Sequence, residues 1–231
     1  MIIGLNNGGF YRLTKNRISD NILDKIIKTG ANAIEFTCVN IKMVDDLFSL
    51  KMPKNKIKFF SIHAPITEYK VDNDTRGLLN KFDQITKKLD INNIIIHADN
   101  IKDNQIFKSF AHLPLSVENS DNRKDFGKRV NDIKLLLDNS DLKLTLDLQH
   151  CYVNDKTMQL ADDFYKEFCD KIVEFHVSGY DKEFNHYTLF KTNQDIIIDF
   201  LKEKNIPIIL ESTYDKYSEA KIELNYVKNK L

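Results

Sequence analysis

Apolar residues in this chain fall in short runs, and the runs recur about every 20 to 35 residues. They begin near Ile2, Ala33, Ile57, Asn93, Leu113, Lys143, Ile172 and Ile206. Runs of this length, rich in β-branched and aromatic side chains and bounded by polar turns, predict buried strands. The intervals between them carry helical periodicity. Ile22, Leu23, Ile26 and Ile27 share one face, as do Leu78, Leu79, Phe82, Ile85 and Leu89. Val130, Ile133, Leu136 and Leu137 follow the fifth run, and Ile196, Ile197, Phe200 and Leu201 the seventh. Periodicity is weakest around Val44 to Leu50 and in the short stretch between His97 and Leu113. Eight strand–helix alternations without a Gly/Pro/Ser linker predict one continuous domain over residues 1–231. Pairing the strands in sequence order gives parallel neighbours with right-handed crossovers. Eight of them close into a (β/α)8 TIM barrel of the α/β class. An open doubly wound sheet is the alternative, but Gly4 and Gly8-Gly9 fit no dinucleotide fingerprint.

Six runs stop on a side chain able to bind metal. They are Phe59-Phe60-Ser61-Ile62-His63, Ile94-Ile95-Ile96-His97, Leu115-Ser116-Val117-Glu118, Leu144-Thr145-Leu146-Asp147, Ile172-Val173-Glu174-Phe175-His176 and Ile208-Ile209-Leu210-Glu211. A charged or imidazole group closing a buried strand needs a polar destination, and a parallel barrel aims all its strand C-termini at one face. His150 lies three residues past Asp147, and His186 sits in the loop after His176. Five of the six histidines therefore fall at or just after a predicted strand end; only His112 lies at a strand entry.

Neutral imidazole nitrogen and carboxylate oxygen are donors that suit zinc, iron and manganese. Eight such groups exceed the roughly four to six positions of one ion. The pattern therefore predicts two or three divalent ions bridged by a carboxylate such as Glu118. Without a cation, such a cluster leaves buried charges uncompensated, on the order of several kcal/mol each. A multinuclear site would activate water at neutral pH and stabilise both oxygens of a displacement. With fewer ions, Glu118, Asp147, His176 and Glu211 alone could hold one octahedral metal. Glu118 and Glu211 could then flank a sugar carbon as proton donor and acceptor.

Taken singly, His63 or His97 reads as a hydrogen-bonded core histidine, and Asp147 or Glu211 as a helix cap or ion-pair partner. The shared address at strand ends points instead to metal. Glu35 could line the pocket or stand behind a ligand. Cys38 and Cys151 read as small buried fillers, and Tyr152, Tyr180 and Tyr187 as rim packing.

Composition narrows the setting. At 231 residues, 42% hydrophobic and 29% charged, the chain matches a soluble globular protein without a membrane-spanning run. Its start, Met1-Ile2-Ile3-Gly4, lacks a signal-peptide pattern. Three widely spaced cysteines (Cys38, Cys151, Cys169) predict a reducing cytoplasm rather than a disulfide framework. A formal net charge of zero gives no global pull toward nucleic acid or anionic membrane.

The order His63, His97, Glu118, Asp147-x-x-His150, His176, His186 and Glu211 resembles the xylose-isomerase-like barrel superfamily. That group includes endonuclease-IV-like apurinic/apyrimidinic endonucleases (AP endonuclease family 2) and the sugar phosphate isomerases and epimerases. His63-Ala64-Pro65 is similar to the His-Ala-Pro closing strand three in many members, and Glu118-Asn119-Ser120 to the endonucleases' Glu-Asn-Thr. Asp147-Leu148-Gln149-His150 keeps the ends of their Asp-Thr-Cys-His. The resemblance implies three zinc ions: one at His63, His97 and Glu118, one at Glu118, Asp147, His176 and Glu211, and one at His150 with His186. The sequence departs from the endonuclease pattern at Phe184-Asn185-His186, where those enzymes have Asp-Arg-His. It departs again at His176-Val177-Ser178-Gly179, against His-Leu-Asn-Asp, and at Ile66-Thr67, where an aromatic and apolar pair inserts into DNA. Leu146-Asp147-Leu148-Gln149-His150-Cys151-Tyr152-Val153 also partly echoes the multinuclear nonheme iron oxidases.

The favoured expectation is hydrolysis of a phosphate ester or phosphodiester at a zinc centre, with manganese, cobalt or iron as alternatives. The substrate would be a small phosphorylated molecule, a sugar, or damaged DNA. A sugar isomerase or epimerase with one ion at Glu118, Asp147, His176 and Glu211 is the rival. An iron oxidase and a non-catalytic ligand-binding barrel are further readings.

Overall fold

All eight expected barrel strands form, each within two residues of its predicted start. They are β1 (Ile3–Asn6), β2 (Ala33–Thr37), β3 (Phe59–His63), β4 (Asn93–His97), β5 (Leu115–Glu118), β6 (Lys143–Asp147), β7 (Ile172–Val177) and β10 (Ile208–Leu210). Between β7 and β10 lies a two-stranded antiparallel ribbon, β8 (Gly179–Tyr180) and β9 (His186–Tyr187). The computed structural model describes every residue except Met52, Lys54, Asn139, Glu183, Phe184 and Asn185. The Phe184-Asn185 departure noted above lies outside the described residues. The barrel strands pair in parallel in sequence order, and β10 pairs back onto β1 to close the cylinder. The strands β5 and β10 begin two residues later than predicted, just after Pro114 and Pro207. A proline has no N–H for the ladder, so these residues only accept: Ile94 N donates to Pro114 O (2.7 Å) and Phe175 N to Pro207 O (2.8 Å).

Strand alternation sorts the side chains. Ile34, Phe36, Phe60, Ile62, Ile94, Ile96, Val117, Leu144, Leu146 and Phe175 join the large apolar core shared with the helices. Ala33, Phe59 and Ile209 form a small separate apolar cluster. Buried polar side chains form a connected net: Ser61 Oγ donates to Glu174 Oε1 (2.7 Å), and Asn93 Nδ2 donates to Glu174 Oε2 (2.7 Å) and Thr145 Oγ1 (2.9 Å). Ser116 Oγ lies 2.7 Å from Thr145 Oγ1. Branched apolar side chains usually fill such barrels, so this polar layer is a departure from the apolar runs read in the sequence.

The crossovers follow their periodicity. Helix α1 (Asp20–Lys28) is capped by Ser19, whose Oγ accepts from Ile22 N, and it buries Ile22, Leu23 and Ile26. The second crossover carries α2 (Ile41–Asp46) and a 3-10 turn over Leu47–Ser49. In the third, α3 (Asn73–Leu89) starts at Asp72, whose Oδ1 accepts from Thr75 N (2.8 Å), and stops at Asp90 in a left-handed conformation. The fourth crossover, between β4 and β5, is spanned by 3-10 structure over Asn104–Phe110. The fifth carries α4 (Val130–Leu137), and the sixth α5 (Leu148–Asn154) and α6 (Gln159–Phe168). The last holds α7 (Leu189–Thr192) and α8 (Asp195–Asp199), and α9 (Tyr217–Lys230) ends the chain. One predicted face is corrected: Ile196 is 40% exposed, and Ile198 is buried beside Ile197. Three successive isoleucines offer two overlapping stripes, and the short helix buries the second. No helix among the described residues is long and apolar enough to cross a membrane.

The last helix also holds the ribbon in place. Glu223 on α9, fully buried, accepts from Leu189 N (2.8 Å), Phe190 N (3.4 Å) and Ser212 Oγ (2.8 Å), and Ser212 Oγ also donates to Tyr187 O (3.0 Å).

Gly4 faces the backbone of Ala33 so closely that an added Cβ would overlap its carbonyl group. Replacing Gly4 with Ala is expected to lower stability by roughly 1–3 kcal/mol or more. A shift of the urea midpoint with an unchanged slope would report it, and an unchanged midpoint would contradict the close approach.

Candidate metal centre

Parallel register brings the six predicted strand-end groups to one mouth. His63, His97, Glu118 and Asp147 close β3, β4, β5 and β6; His176 is the penultimate residue of β7, and Glu211 directly follows β10. His97 is registered against Glu118, and Asp147 against His176. Asp147 also caps α5, its Oδ1 accepting from His150 N (2.8 Å), which places His150 one turn above. His186 lies on the ribbon strand β9, its Nδ1 2.9 Å from Ser178 Oγ and its carbonyl accepting from Thr213 N (2.8 Å).

Glu118 stands at the centre. Its Oε2 lies 3.1 Å from His63 Nε2 and 3.3 Å from His97 Nδ1, and its Oε1 lies 2.9 Å from His176 Nδ1. Glu211 Oε2 is 3.4 Å from the same His176 nitrogen and 4.0 Å from His186 Nδ1. Three donor sets, each with its atoms within 4.8 Å of one another, could hold metal: His63, His97 and Glu118; Glu118, Asp147, His176 and Glu211; and, inside the barrel, Glu35, Glu174 and His176. Asp147 Oδ2 is buried with no hydrogen-bond partner, an orphaned oxygen that a divalent cation in the second set would satisfy. The residues therefore fit such an ion in donor type, number and convergence. His150 and His186, 6.0 Å apart by ring centroid, join no set of three donors among the described residues. His150 Nδ1 lies 2.8 Å from the carbonyl of Asn119, which leaves its Nε2 as the bare nitrogen.

Burial and crowding set the charges. Burial pushes the Asp147 and Glu35 carboxyls up to about 7 and the His97 imidazole down to about 4. Burial would raise Glu118 too, but the surrounding imidazoles of His97, His176 and His63 hold it well below the ordinary carboxylate range. Glu211 is lowered for the same reason, with His176 outweighing burial. At His63 burial pulls downward, and the hydrogen bond and charge of Glu118 overturn it, to about 9.

The mouth opens into a cavity of about 270 Å³. His63, His97, Glu118, His150, His186 and Glu211 line it, with Arg17 the one Lys or Arg lining it among the described residues. The loop carrying Arg17 is tied down by Asn7, whose Nδ2 donates to the Arg17 carbonyl (3.0 Å) and whose Oδ1 accepts from Thr37 N (2.6 Å). Tyr11, Val39 and Ile66 form an exposed apolar rim.

Three residues at the site were not singled out from sequence. Asn6 donates to Glu211 Oε1 (2.8 Å) and Glu35 Oε1 (3.3 Å); Glu174 lies beneath His176; and Arg17 sits in a loop with no motif around it. Only the alternation of β7, which turns Glu174 to the same side as His176, could have signalled the second. Cys38 and Cys151 are buried, and burial raises both thiols, as fillers require. Tyr152, Tyr180 and Tyr187 do not line the cavity; the first two hold the Lys156 ammonium between their rings. His112 lies away from the mouth, 3.0 Å from Asp83 at the surface.

A closed barrel of eight parallel strands, here with imidazoles and carboxylates gathered at its C-terminal mouth, is the (β/α)8 TIM-barrel fold. Solved structures of several enzymes share it along their whole length. Endonuclease IV from Thermus thermophilus superposes with a TM-score of 0.70 at 13% identity, over 100% of this chain and 98% of that one. The probable 3-DHS dehydratase of petrobactin synthesis from Bacillus anthracis gives 0.72 at 17% identity, over 99% of each chain. D-Psicose 3-epimerase from Clostridium cellulolyticum gives 0.66 at 12% identity, over 99% of each. At such identities the likeness establishes the fold. No family model matches the chain, and no curated protein matches it by sequence.

Two measurements check this geometry. Protonated Asp147 and Glu35 favour the folded state, and that contribution is lost as pH rises through about 7. His63 contributes fully below its unfolded value near 6.5 and loses its contribution as pH rises through about 9. Both act in one direction, so in excess chelator the Tm is expected to fall between about pH 6.5 and about pH 9. A Tm that rises over this window would contradict the assignment. Replacing His112 with Gln should leave bound metal unchanged by elemental analysis; loss of metal would mean the mouth is wrongly placed.

Proposed function

We propose that the chain is a divalent-metal-dependent hydrolase that cleaves a phosphate ester of a small molecule. The observation that carries this reading is the sharing of Glu118, which turns one carboxylate oxygen to His63 and His97 and the other to His176. A carboxylate placed in this way could be shared by two ions. One would be held by His63, His97 and Glu118, the other by Glu118, Asp147, His176 and Glu211. Zinc matches the mixed imidazole and carboxylate donors best. When bound, the ions supply positive charge that activates water near neutral pH and steadies the entering and leaving oxygens of an in-line displacement.

The chain's own residues orient that chemistry. His63 Nδ1 lies 3.3 Å from the Ala64 carbonyl, which fixes the ring with Nε2 toward Glu118. Asn6 steadies Glu211 through its 2.8 Å hydrogen bond. His150 and His186 border the cavity, where the bare Nε2 of His150 would accept from a substrate hydroxyl. Arg17 supplies a guanidinium to an anionic group, which favours a phosphorylated substrate. The cavity size, with Arg17 the one lining Lys or Arg among the described residues, favours a small molecule over duplex DNA, whose binding depends on many phosphate contacts.

A second reading is a sugar epimerase or isomerase with one ion at Glu118, Asp147, His176 and Glu211, where Glu118 and Glu211 exchange protons with a sugar carbon. It is favoured by the completeness of that donor set without His63 or His97. The sugar epimerases among the structural neighbours agree with it.

Elemental analysis of protein purified without added metal separates the two, since about two ions per chain supports hydrolysis and about one supports epimerisation. Glu118→Gln should lose both ions together and reduce turnover by more than about 100-fold; full metal content with normal turnover would refute the bridging role. Arg17→Gln should raise KM for a phosphomonoester roughly 10-fold or more while leaving metal content intact; an unchanged KM would remove Arg17 from substrate recognition.

A further inference from the structure

The two ring nitrogens of His176 face opposite environments. Nδ1 points to the donor set, 2.9 Å from Glu118 and 3.4 Å from Glu211. Nε2 points into the barrel, 2.9 Å from Glu35 Oε2 and 3.7 Å from Glu174 Oε1. His176, Glu35 and Glu174 are each 0% exposed, so no bulk water intervenes.

The two inner carboxylates differ. Glu174 has both oxygens occupied by neutral donors, Ser61 Oγ and Asn93 Nδ2. Glu35 accepts on Oε1 from Asn6 (3.3 Å) and Thr37 (3.5 Å), but its Oε2 has no hydrogen-bond partner, and neither does His176 Nε2. These two orphaned atoms are each other's near neighbours, close but off the ideal hydrogen-bond line. A bare nitrogen held against a carboxylate oxygen at that distance would set two lone pairs face to face. A proton on Nε2 removes the conflict there; Nδ1 faces Glu118 Oε1 at the same 2.9 Å, and an ion held by both atoms would take the place of a proton on Nδ1.

We propose that Glu35 is a positioning residue that fixes the proton of His176 on Nε2 and thereby presents Nδ1 to the ion held with Glu118, Asp147 and Glu211. The proposal rests on the metal-centre reading above. Glu35 acts mainly on that second ion, because it touches His176 directly while only its charge reaches His63 of the first. Through Asn6, which donates to both Glu35 and Glu211, the same carboxylate is tied to a second ligand of that ion. Glu174, already satisfied by Ser61 and Asn93, serves the interior net and not the tautomer.

The test combines nitrogen-15 NMR of the histidine rings with zinc titration of the full chain. In wild-type protein His176 Nε2 is expected to be protonated with and without zinc, and Nδ1 to be bare once zinc is bound. Glu35→Gln keeps an acceptor and should keep that tautomer, with the zinc site that includes His176 loosened roughly 10-fold. Glu35→Leu should lose the tautomer preference and loosen the same site by up to about 100-fold, leaving the other site unchanged. A general loss of fold would weaken both sites equally in both variants, and that result would overturn the proposal. So would a zinc-loaded wild type with the proton on Nδ1, or Glu35→Leu protein with two wild-type zinc affinities. If wild-type protein binds no zinc, the metal-centre reading fails on its own. Protonation of Nε2 in the zinc-free protein still decides the role of Glu35.

Discussion

The cost of burying carboxylates governs the mouth of this barrel. Glu35, Glu118, Asp147 and Glu174 are at most 1% exposed, and their ion-pair partners among the described residues are imidazoles. Removing one charged carboxylate from water costs several kcal/mol, more than one neutral imidazole can return. The protein meets this by giving Glu35, Asp147 and Glu174 neutral donors and by ringing Glu118 with imidazoles, and the remaining demand, centred on Asp147 Oδ2, is one a cation would meet. Charge compensation, more than apolar packing, therefore decides which side chains can occupy the strand ends.

Closure of the cylinder makes that crowding possible. Eight parallel strands share one direction, so groups as distant in sequence as His63 and Glu211 end at the same height. Packing rigidity comes from outside, where the outward strand residues join the helices in one apolar core. Inside, Glu174, Asn93, Ser61, Thr145 and Ser116 form a hydrogen-bonded net under the site. Such a net is directional, and an oriented polar floor fixes the rings above it more tightly than interchangeable aliphatic groups would.

Much of this was legible in the sequence, for identifiable reasons. Strand periods are short and self-contained, so runs such as Ile94-Ile95-Ile96-His97 announce both the strand and its polar terminus. The gathering of His63, His97, Glu118, Asp147, His176 and Glu211 followed from parallel topology alone. Glu35 was marked as a group that could stand behind a ligand, but Ser61 and Glu174 were hidden because they interrupt otherwise apolar runs without marking which face they take. Arg17 was hidden for another reason: it approaches the cavity through a loop, whose path no periodicity encodes. At α8, three equivalent isoleucines left the buried stripe undetermined until the neighbouring elements chose it.

The clamp formed by Glu223 has a consequence for how the mouth can move. One carboxylate on the final helix gathers the start of α7, Ser212 and, through Ser212, the ribbon strand that bears His186. Breathing of the ribbon is thereby geared to the C-terminal helix on the outer wall. Any partner or strain that shifts that helix would be felt at His186, which makes the far edge of the chain a lever on the entrance to the cavity.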